Sequence, residues 1–535
     1  MTDSAPATSN EERSTSFGVP NADRRWWLAV AILALAGGAL VLLSTARYGA
    51  GIWPDSVCYV DTARSLASGK GLVLHMTTFS CSAAEMPFTW WPPLYPALLG
   101  LIAYATRLDP TAFVHVMNAI LFGLVVFLSA RLIQYDFRPS RAYALLGVCA
   151  VLFSRPLSEV YAQTLSECLF IPSVLLYLIS TQRYWGTGRR RSLAVMTLAT
   201  ALACITRYIG VALVPAGVLT IILASNANFR KRLSRASVFA AFSLAPLGLW
   251  AVRNYHLTKT IFGFTGSLKN TLADNVTLCF QTIVPWYTPG IRGTKYIVLA
   301  GVAIALVALV ASRGARVRMW RSLKALLSNQ PPALLLSASY LITLLVAARR
   351  DAVIDSRMLS PIFIPASLVL LRLAYDLLGP NRPVPRAIAS TIPLVFLALW
   401  LSFPVGSVAL DTAARFMNGA GGYNTRAWRE SETVAFAKEI LTTKDDVPVY
   451  SNVPLALCAV AGVNATRAPS RVTGSLTDLE GHWPAESGSA LVWFRNNPSP
   501  SSRKALFSVE DLGQIARVVD VAQLSDGSIY RVSPR

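Results

Sequence analysis

Trp53-Pro54-Asp55-Ser56-Val57-Cys58-Tyr59 stands just beyond the apolar run 26–45. Ser65, Gly69 and Gly71 follow, then the aromatic stretch Phe88-Thr89-Trp90-Trp91-Pro92-Pro93-Leu94-Tyr95-Pro96. Trp and Tyr collect where a membrane meets water. An acid placed between a membrane anchor and such a stretch reads as chemistry at a bilayer surface.

Composition agrees. Of the 535 residues, 53% are hydrophobic and 14% are charged, whereas soluble proteins carry about 25% charged residues. The formal net charge is +21, yet the basic residues form short clusters between apolar runs. That pattern belongs to the cytoplasmic loops of a polytopic membrane protein, not to a nucleic-acid groove. No nucleic-acid partner is expected.

Charge also predicts the topology. Residues 1–22 are polar and read as a disordered cytoplasmic tail. Arg24 and Arg25 then precede the span 26–45, and no small-residue cleavage site follows, so the span reads as an uncleaved anchor with its N-terminus inside. Basic clusters recur at Arg131/Arg138/Arg141, Arg183/Arg189/Arg190/Arg191, Arg230/Lys231/Arg232/Arg235, Arg313/Arg316/Arg318/Arg321/Lys324 and Arg382/Arg386. If each is cytoplasmic, an even number of crossings separates neighbouring clusters. Two crossings fit between 141 and 183, and two short ones between 192 and 230 with an outward turn at Arg207. The pairs 236–251/295–312 and 333–348/358–378 behave alike, and 387–405 exits outside. A span needs roughly 20 residues, so the shorter 94–106 reads as a juxtamembrane helix. The expectation is a polytopic α-helical protein of about eleven spans in the cell membrane, with its N-terminus inside and its C-terminus outside. No internal repeat supports an inverted-repeat transporter.

This topology gathers charge outside. The outer loops hold Asp55, Asp61, Glu85, Glu159 and Glu167, with Arg207-Tyr208, Arg253-Asn254-Tyr255-His256, Arg349-Arg350, Asp351, Asp355 and Arg357. Outward arginines run against the positive-inside bias. Each either pairs with an acid at a helix end or serves an anion site, where the guanidinium fork suits phosphate.

The order of these elements resembles the GT-C superfamily of glycosyltransferases, of the protein O-mannosyltransferase and aminoarabinose-transferase type. The residues that carry the resemblance are Asp55, Tyr59, Ala63, Gly69-Lys70-Gly71 and Pro92-Pro93-Leu94-Tyr95 in the first outer loop. Glu167 in TLSECLF, Arg207 in ITRYIG, Arg253 and Asn254 in WAVRNY, and Arg357 and Pro361 in DSRMLSPIFIP follow in order. The resemblance covers about 1–405. It implies transfer of a sugar from a polyprenyl-phosphate donor to a hydroxyl acceptor at the outer face. Where many relatives carry a second acid beside the first-loop Asp, this chain has Ser56.

The chemistry needs a base for the acceptor and positive charge for the departing phosphate. We therefore expect Asp55 as the base, with Arg207, Arg253 and Arg357 around the phosphate. Glu167 is expected to orient an arginine or the acceptor. Direct displacement would invert the anomeric centre. Tyr59, Trp90, Trp91, Tyr95, Tyr208, Arg349 and Arg350 are candidates for a substrate groove, although the aromatic stretch reads equally as an interfacial anchor. His75, His115, His256 and His482 have no zinc-site spacing. No cofactor is required, and a divalent cation held by Asp55 and Glu167 is left open.

Of seven cysteines, Cys149, Cys168 and Cys204 read as buried apolar residues, and a disulfide between Cys58 and Cys81 is allowed in the outer loop. From 406 to 535 the composition turns polar. A linker at Gly419-Ala420-Gly421-Gly422-Tyr423 leads to an amphipathic helix over 427–443. Strand-like runs follow at Val447–Ser451, Ala490–Phe494, Val518–Val521 and Ile529–Val532. This is a small extracytoplasmic α/β domain, placed beyond a transmembrane domain at 23–405 whose first outer loop is 46–111. It reads as an acceptor-side or lid module. The alternatives are a polytopic transporter or flippase of a lipid-linked or anionic solute, and a lipid-linked glycan polymerase or ligase. The former would favour midplane acids and repeats, the latter a catalytic loop late in the chain.

Sidedness can be tested. An impermeant thiol reagent applied from outside should modify a cysteine introduced near 275 and spare one near 188. The reverse labelling would discard the topology.

Overall fold

The computed structural model describes residues 24–76, 81–137, 140–224, 227–262, 271–288, 331–349, 354–378, 386–441, 447–472, 474–495 and 505–535, with a few positions between 312 and 320. The first part is helical. α1 (Arg24–Thr45) packs along α4 (Pro110–Asp136). Between them lie α2 (Pro54–Ala67), the hairpin β1 (Val73–Met76) and β2 (Cys81–Pro87), and α3 (Leu94–Thr106). Then come α5 (Arg141–Leu152), α6 (Arg155–Tyr161), α7 (Glu167–Thr187), α8 (Arg190–Thr206), a 3-10 turn Tyr208–Ala212 and α9 (Leu213–Leu223). α10 (Phe229–Thr258), α11 (Leu272–Tyr287), α12 (Pro331–Ala348), α13 (Ser356–Leu378) and α14 (Arg386–Asn418) complete the bundle.

Helices occupy the predicted positions among the described residues, and the predicted span over 295–312 lies outside them. Among the described residues, six helices are long and apolar enough to cross a membrane. A seventh span results if α5 and α6, bent by 47°, form one. The count of eleven is not confirmed among the described residues. α9 is short, α8 ends at the break before Arg207, and α7 carries Glu167, Gln182 and Arg183 within its length. α11 was not expected; its Trp286 and Tyr287 rings pack on Phe363 of α13.

The two ends of the bundle differ in their contacts. At one end Arg131 of α4 lies over the Trp27 ring of α1. Arg372 of α13 donates to the Asp136 carbonyl at 3.1 Å, Arg235 to the Tyr184 hydroxyl at 3.3 Å, and Arg232 to the Ile222 carbonyl at 2.7 Å. Arg372 and Arg232 thereby satisfy carbonyls that helix ends leave open. The other end carries Asp55, Glu167, Arg207 and Arg357, joined by ion pairs.

α14 has 33 residues, about 50 Å at 1.5 Å per residue, well beyond a hydrocarbon core of about 30 Å. It continues past 406, so the C-terminal unit begins at Gly419. That unit holds α15 (Arg426–Arg429), α16 (Glu432–Leu441) and a five-stranded sheet. The strands are β3 (Val449–Ser451), β4 (Thr466–Arg467), β5 (Ser489–Phe494), β6 (Ala516–Gln523) and β7 (Gly527–Pro534), in the order β4-β3-β5-β7-β6. β3 runs parallel to β4 and β5, while β7 pairs antiparallel with β5 and β6. Strand alternation splits β5 between two cores. Ala490, Val492 and Phe494 join Trp428 and Ile529 on one side, and Leu491 joins Trp483 and Val532 on the other.

Two attachments hold this unit against the first loop. One is a hinge. Ile52 N donates to the Gly421 carbonyl at 3.3 Å, Tyr423 N to the Ile52 carbonyl at 2.7 Å, and Asn424 Nδ2 to the Ala50 carbonyl at 2.8 Å. Gly422 has φ +61°, and a Cβ there would overlap the Ile52 carbonyl, so only glycine fits. The other is a latch, the disulfide between Cys81 of β2 and Cys458, supported by Cys81 N donating to the Ala465 carbonyl at 2.8 Å. This corrects the Cys58–Cys81 pairing. Cys58 is fully buried on α2. Burial first, then Asp55 and Asp61, push its thiol far above the usual range, and the thiolate is the reactive form.

Denatured protein should titrate five free thiols before reduction and seven after it, since two of seven cysteines are bonded. In the folded protein, reduction should speed hydrogen exchange at 81–87 and 454–465 while 50–53 and 419–425 stay protected. Equal loosening of both sets would show that latch and hinge are not separate.

Candidate active site

Helix ends build the site. Trp53 is extended, Pro54 opens α2 at the position where proline is tolerated, and Asp55 falls in the first turn. Glu167 is the first residue of α7. Both carboxylates thus sit where unsatisfied N–H groups favour negative charge. Arg207 is extended (φ −148°, ψ 139°) at the break between α8 and the 3-10 turn. The break folds back so tightly that a Cβ at Gly210 would lie 2.6 Å from the Ala203 carbonyl. Arg357 is the second residue of α13, whose N-terminus Asp355 caps by accepting from Met358 N at 2.8 Å.

The four charges form a chain. Asp55 Oδ2 lies 2.9 Å from Arg357 Nη1, Arg357 Nε 3.3 Å from Glu167 Oε1, and Glu167 Oε2 2.5 Å from Arg207 Nη1. Glu167 is 1% exposed, while Asp55 and Arg357 are each 25% exposed. Only the Asp55–Arg357 contact is also aligned as a hydrogen bond; the two contacts to Glu167 are ion pairs by distance alone. Glu167 Oε1 and Arg357 Nε are close enough to attract but not aligned to hydrogen-bond, and both are buried without another hydrogen-bond partner among the described residues. Burial opposes the charge on Arg207, yet Glu167 outweighs it and holds the guanidinium above its ordinary range. Asp355 is a more distant partner, 3.9 Å from Arg357 Nε.

Arg253 is placed differently. It donates to the Phe88 carbonyl at 2.9 Å and to the Leu72 carbonyl at 3.4 Å, and lies 4.5 Å over the Trp250 ring. Asn254 Nδ2 and the Tyr208 hydroxyl donate to the Thr89 carbonyl at 3.2 and 3.3 Å. Three motif residues therefore clasp the backbone just before Trp90. The groove candidates divide. Trp90, Trp91 and Tyr208 are partly exposed, but Tyr59 and Tyr95 are buried and cannot line a groove. Their rings pack edge-on at 5.2 Å, and Tyr59 meets Trp91 at 5.5 Å. Arg349 is exposed just past α12, and Arg350 lies outside the described residues.

Other outer acids have local duties. Asp61 accepts from His75 N at 2.5 Å and ties α2 to β1. Lys70 pairs with Glu85 at 2.8 Å, and this bond lowers the Glu85 pKa. Among the described residues no three His, Cys, Asp or Glu side chains converge as metal ligands. Between Asp55 and Glu167 the cation in place is the Arg357 guanidinium.

No protein-family model matches the chain, and no curated protein matches it in sequence. Solved structures do match its shape. ArnT from Cupriavidus metallidurans in the apo state superposes with TM-score 0.58 at 13% identity, covering 95% of this chain and 98% of that one. The same protein bound to undecaprenyl phosphate gives TM-score 0.53 at 14% identity over the same shares. At such identity the likeness shows the fold alone, one that this chain has in common with ArnT.

Proposed function

We propose that the chain is a multi-pass membrane glycosyltransferase that moves a sugar from a polyprenyl-phosphate donor to a hydroxyl acceptor, with inversion. The observation that carries this reading is the chain Asp55–Arg357–Glu167–Arg207 at one end of the bundle. The fold supports it, since the ArnT of like fold has been seen with undecaprenyl phosphate bound. The site faces the outside of the cell membrane, the N-terminus lies inside, and the C-terminal unit forms a wall on the acceptor side.

Arg207 and Arg357 receive the donor phosphate through the N–H groups their carboxylates leave unused, since a guanidinium has five. The four site charges sum to zero, so an arriving phosphate competes with a carboxylate for a guanidinium. Asp55 is the more exposed partner and yields first, while buried Glu167 keeps both arginines in place. Released Asp55 takes the proton of the acceptor hydroxyl. The acceptor oxygen attacks the anomeric carbon from the face opposite the phosphate. The carbon–oxygen bond to phosphate breaks, and polyprenyl phosphate leaves with the electron pair, stabilised by the two arginines. Arg253 holds the Trp90–Trp91 turn rather than the phosphate. No metal or organic cofactor enters these steps.

The test uses the purified full chain in nanodiscs, with a panel of undecaprenyl-phosphate sugars as donors. Asp55→Asn should lower turnover by roughly 10²–10⁴ with undecaprenyl phosphate binding kept. Arg357→Ala should weaken that binding by about 1.5–3 kcal/mol, the worth of a charged hydrogen bond. Arg253→Ala should change phosphate affinity little and speed hydrogen exchange at 88–91. Transfer at the normal rate by Asp55→Asn would remove it as the base, and failure of the native chain to bind undecaprenyl phosphate would discard the reading.

A further inference from the structure

Ser166 precedes α7 at the position where a serine ordinarily accepts a hydrogen bond from the backbone of the first turn. It makes no such bond. Its hydroxyl, 1% exposed, is turned instead toward the charge chain. Arg207 Nη1 donates to Ser166 Oγ at 3.0 Å, and Ser166 Oγ donates to Glu167 Oε2 at 3.4 Å. The Tyr59 hydroxyl lies 3.4 Å from the same oxygen.

The valence of a hydroxyl fixes the direction of these bonds. A serine offers one proton and two lone pairs. With the proton committed to Glu167 and one lone pair to Arg207, the second lone pair accepts from Tyr59. The phenol can only be a donor there, and burial, followed by the nearby Asp55, keeps it protonated. All three capacities of Ser166 are then used by groups of the site or by the aromatic layer behind it.

The consequence falls on Arg207. Nη1 donates one proton to Ser166 Oγ and lies 2.5 Å from Glu167 Oε2 in an ion pair. One contact would leave the guanidinium free to swing about Nη1, whereas two fix its plane and direct the Nη2 and Nε edges elsewhere. Tyr59 in turn packs against Trp91 and Tyr95, so the hydroxyl links the phosphate-facing cation to the aromatic turn.

We propose that Ser166 and Tyr59 are positioning residues for the donor phosphate, Ser166 by fixing the plane of Arg207 and Tyr59 by acting through Ser166. This rests on the donor-site reading above. It departs from the groove role that the sequence suggested for Tyr59.

The experiment measures undecaprenyl phosphate affinity, donor KM and kcat for the full chain in nanodiscs. Ser166→Ala should raise Kd and KM about tenfold, the loss of one charge-assisted hydrogen bond, with kcat within about threefold. Ser166→Thr keeps a hydroxyl and should recover affinity to within about threefold. Tyr59→Phe should weaken binding by a smaller factor. Combining Tyr59→Phe with Ser166→Ala should add nothing, because Tyr59 acts through that oxygen. Additive effects of the pair, or a lowered Tm with unchanged Kd in Ser166→Ala, would reduce Ser166 to an ordinary structural serine and overturn the proposal. If Ser166→Ala folds poorly, Ser166→Thr and Tyr59→Phe still decide: equal loss in both would also overturn it. A native chain that fails to bind undecaprenyl phosphate would instead bring down the donor-site reading, and the proposal with it.

Discussion

The burial of the Glu167 carboxylate constrains everything around it. A lone carboxylate in so dry a place would be neutralised or expelled, because taking a charge out of water costs several kcal/mol. Glu167 stays where it is because Arg207 reaches it from one side and Arg357 from the other. Removing one partner of a buried pair typically costs 3–5 kcal/mol, of the same order as the whole stability of many domains. The starts of α7 and α13 and the end of α8 are therefore tied at one point. Asp55 brings the start of α2 to the same point through Arg357. The geometry that suits an anion is thus also the geometry that closes the bundle.

The same electrostatics divide the molecule into two ends. Arginines at the far end close helix C-termini by donating to open carbonyls. At the site end they meet carboxylates at helix N-termini, so the dipoles and side-chain charges agree there as well. The long α14 carries the chain out past the site end, and hinge and latch return the C-terminal unit to the first loop. Ile52, Val57 and Leu455 pack around the disulfide and make this contact apolar. The unit is fastened to the loop that bears Asp55, which places it beside that loop rather than on a free tether.

Much of this was legible in the chain. Asp55, Glu167, Arg207 and Arg357 stood out because each charge follows or precedes an apolar run on the side where cations are disfavoured. Parity of the basic clusters then put them on one face. The strands β5, β6 and β7 could be read from the strand-like runs at 490–494, 518–521 and 529–532. Other features had no local signal. Cys81 and Cys458 are 377 residues apart, and spacing cannot choose a partner at that distance. Arg253 carries the same charge as Arg357, and only the neighbouring carbonyls of Phe88 and Leu72 separate their duties. Tyr59 and Tyr95 look like interfacial aromatics until their burial is seen. The hydroxyl direction of Ser166 cannot be read from sequence.

The placement of Arg357 bears on how such a site handles charge. A divalent cation between two carboxylates binds through oxygen and would need both acids turned inward. Here the guanidinium holds Asp55 through one nitrogen and faces Glu167 with another, the second link poorly aligned. That looser link leaves the buried Glu167 oxygen and the Arg357 Nε without a full hydrogen bond. Such unmet polar groups are costly in a dry site. An anion that drew Arg357 off Asp55 would uncover the more exposed carboxylate, while Glu167 would keep the charge of Arg207 beside it.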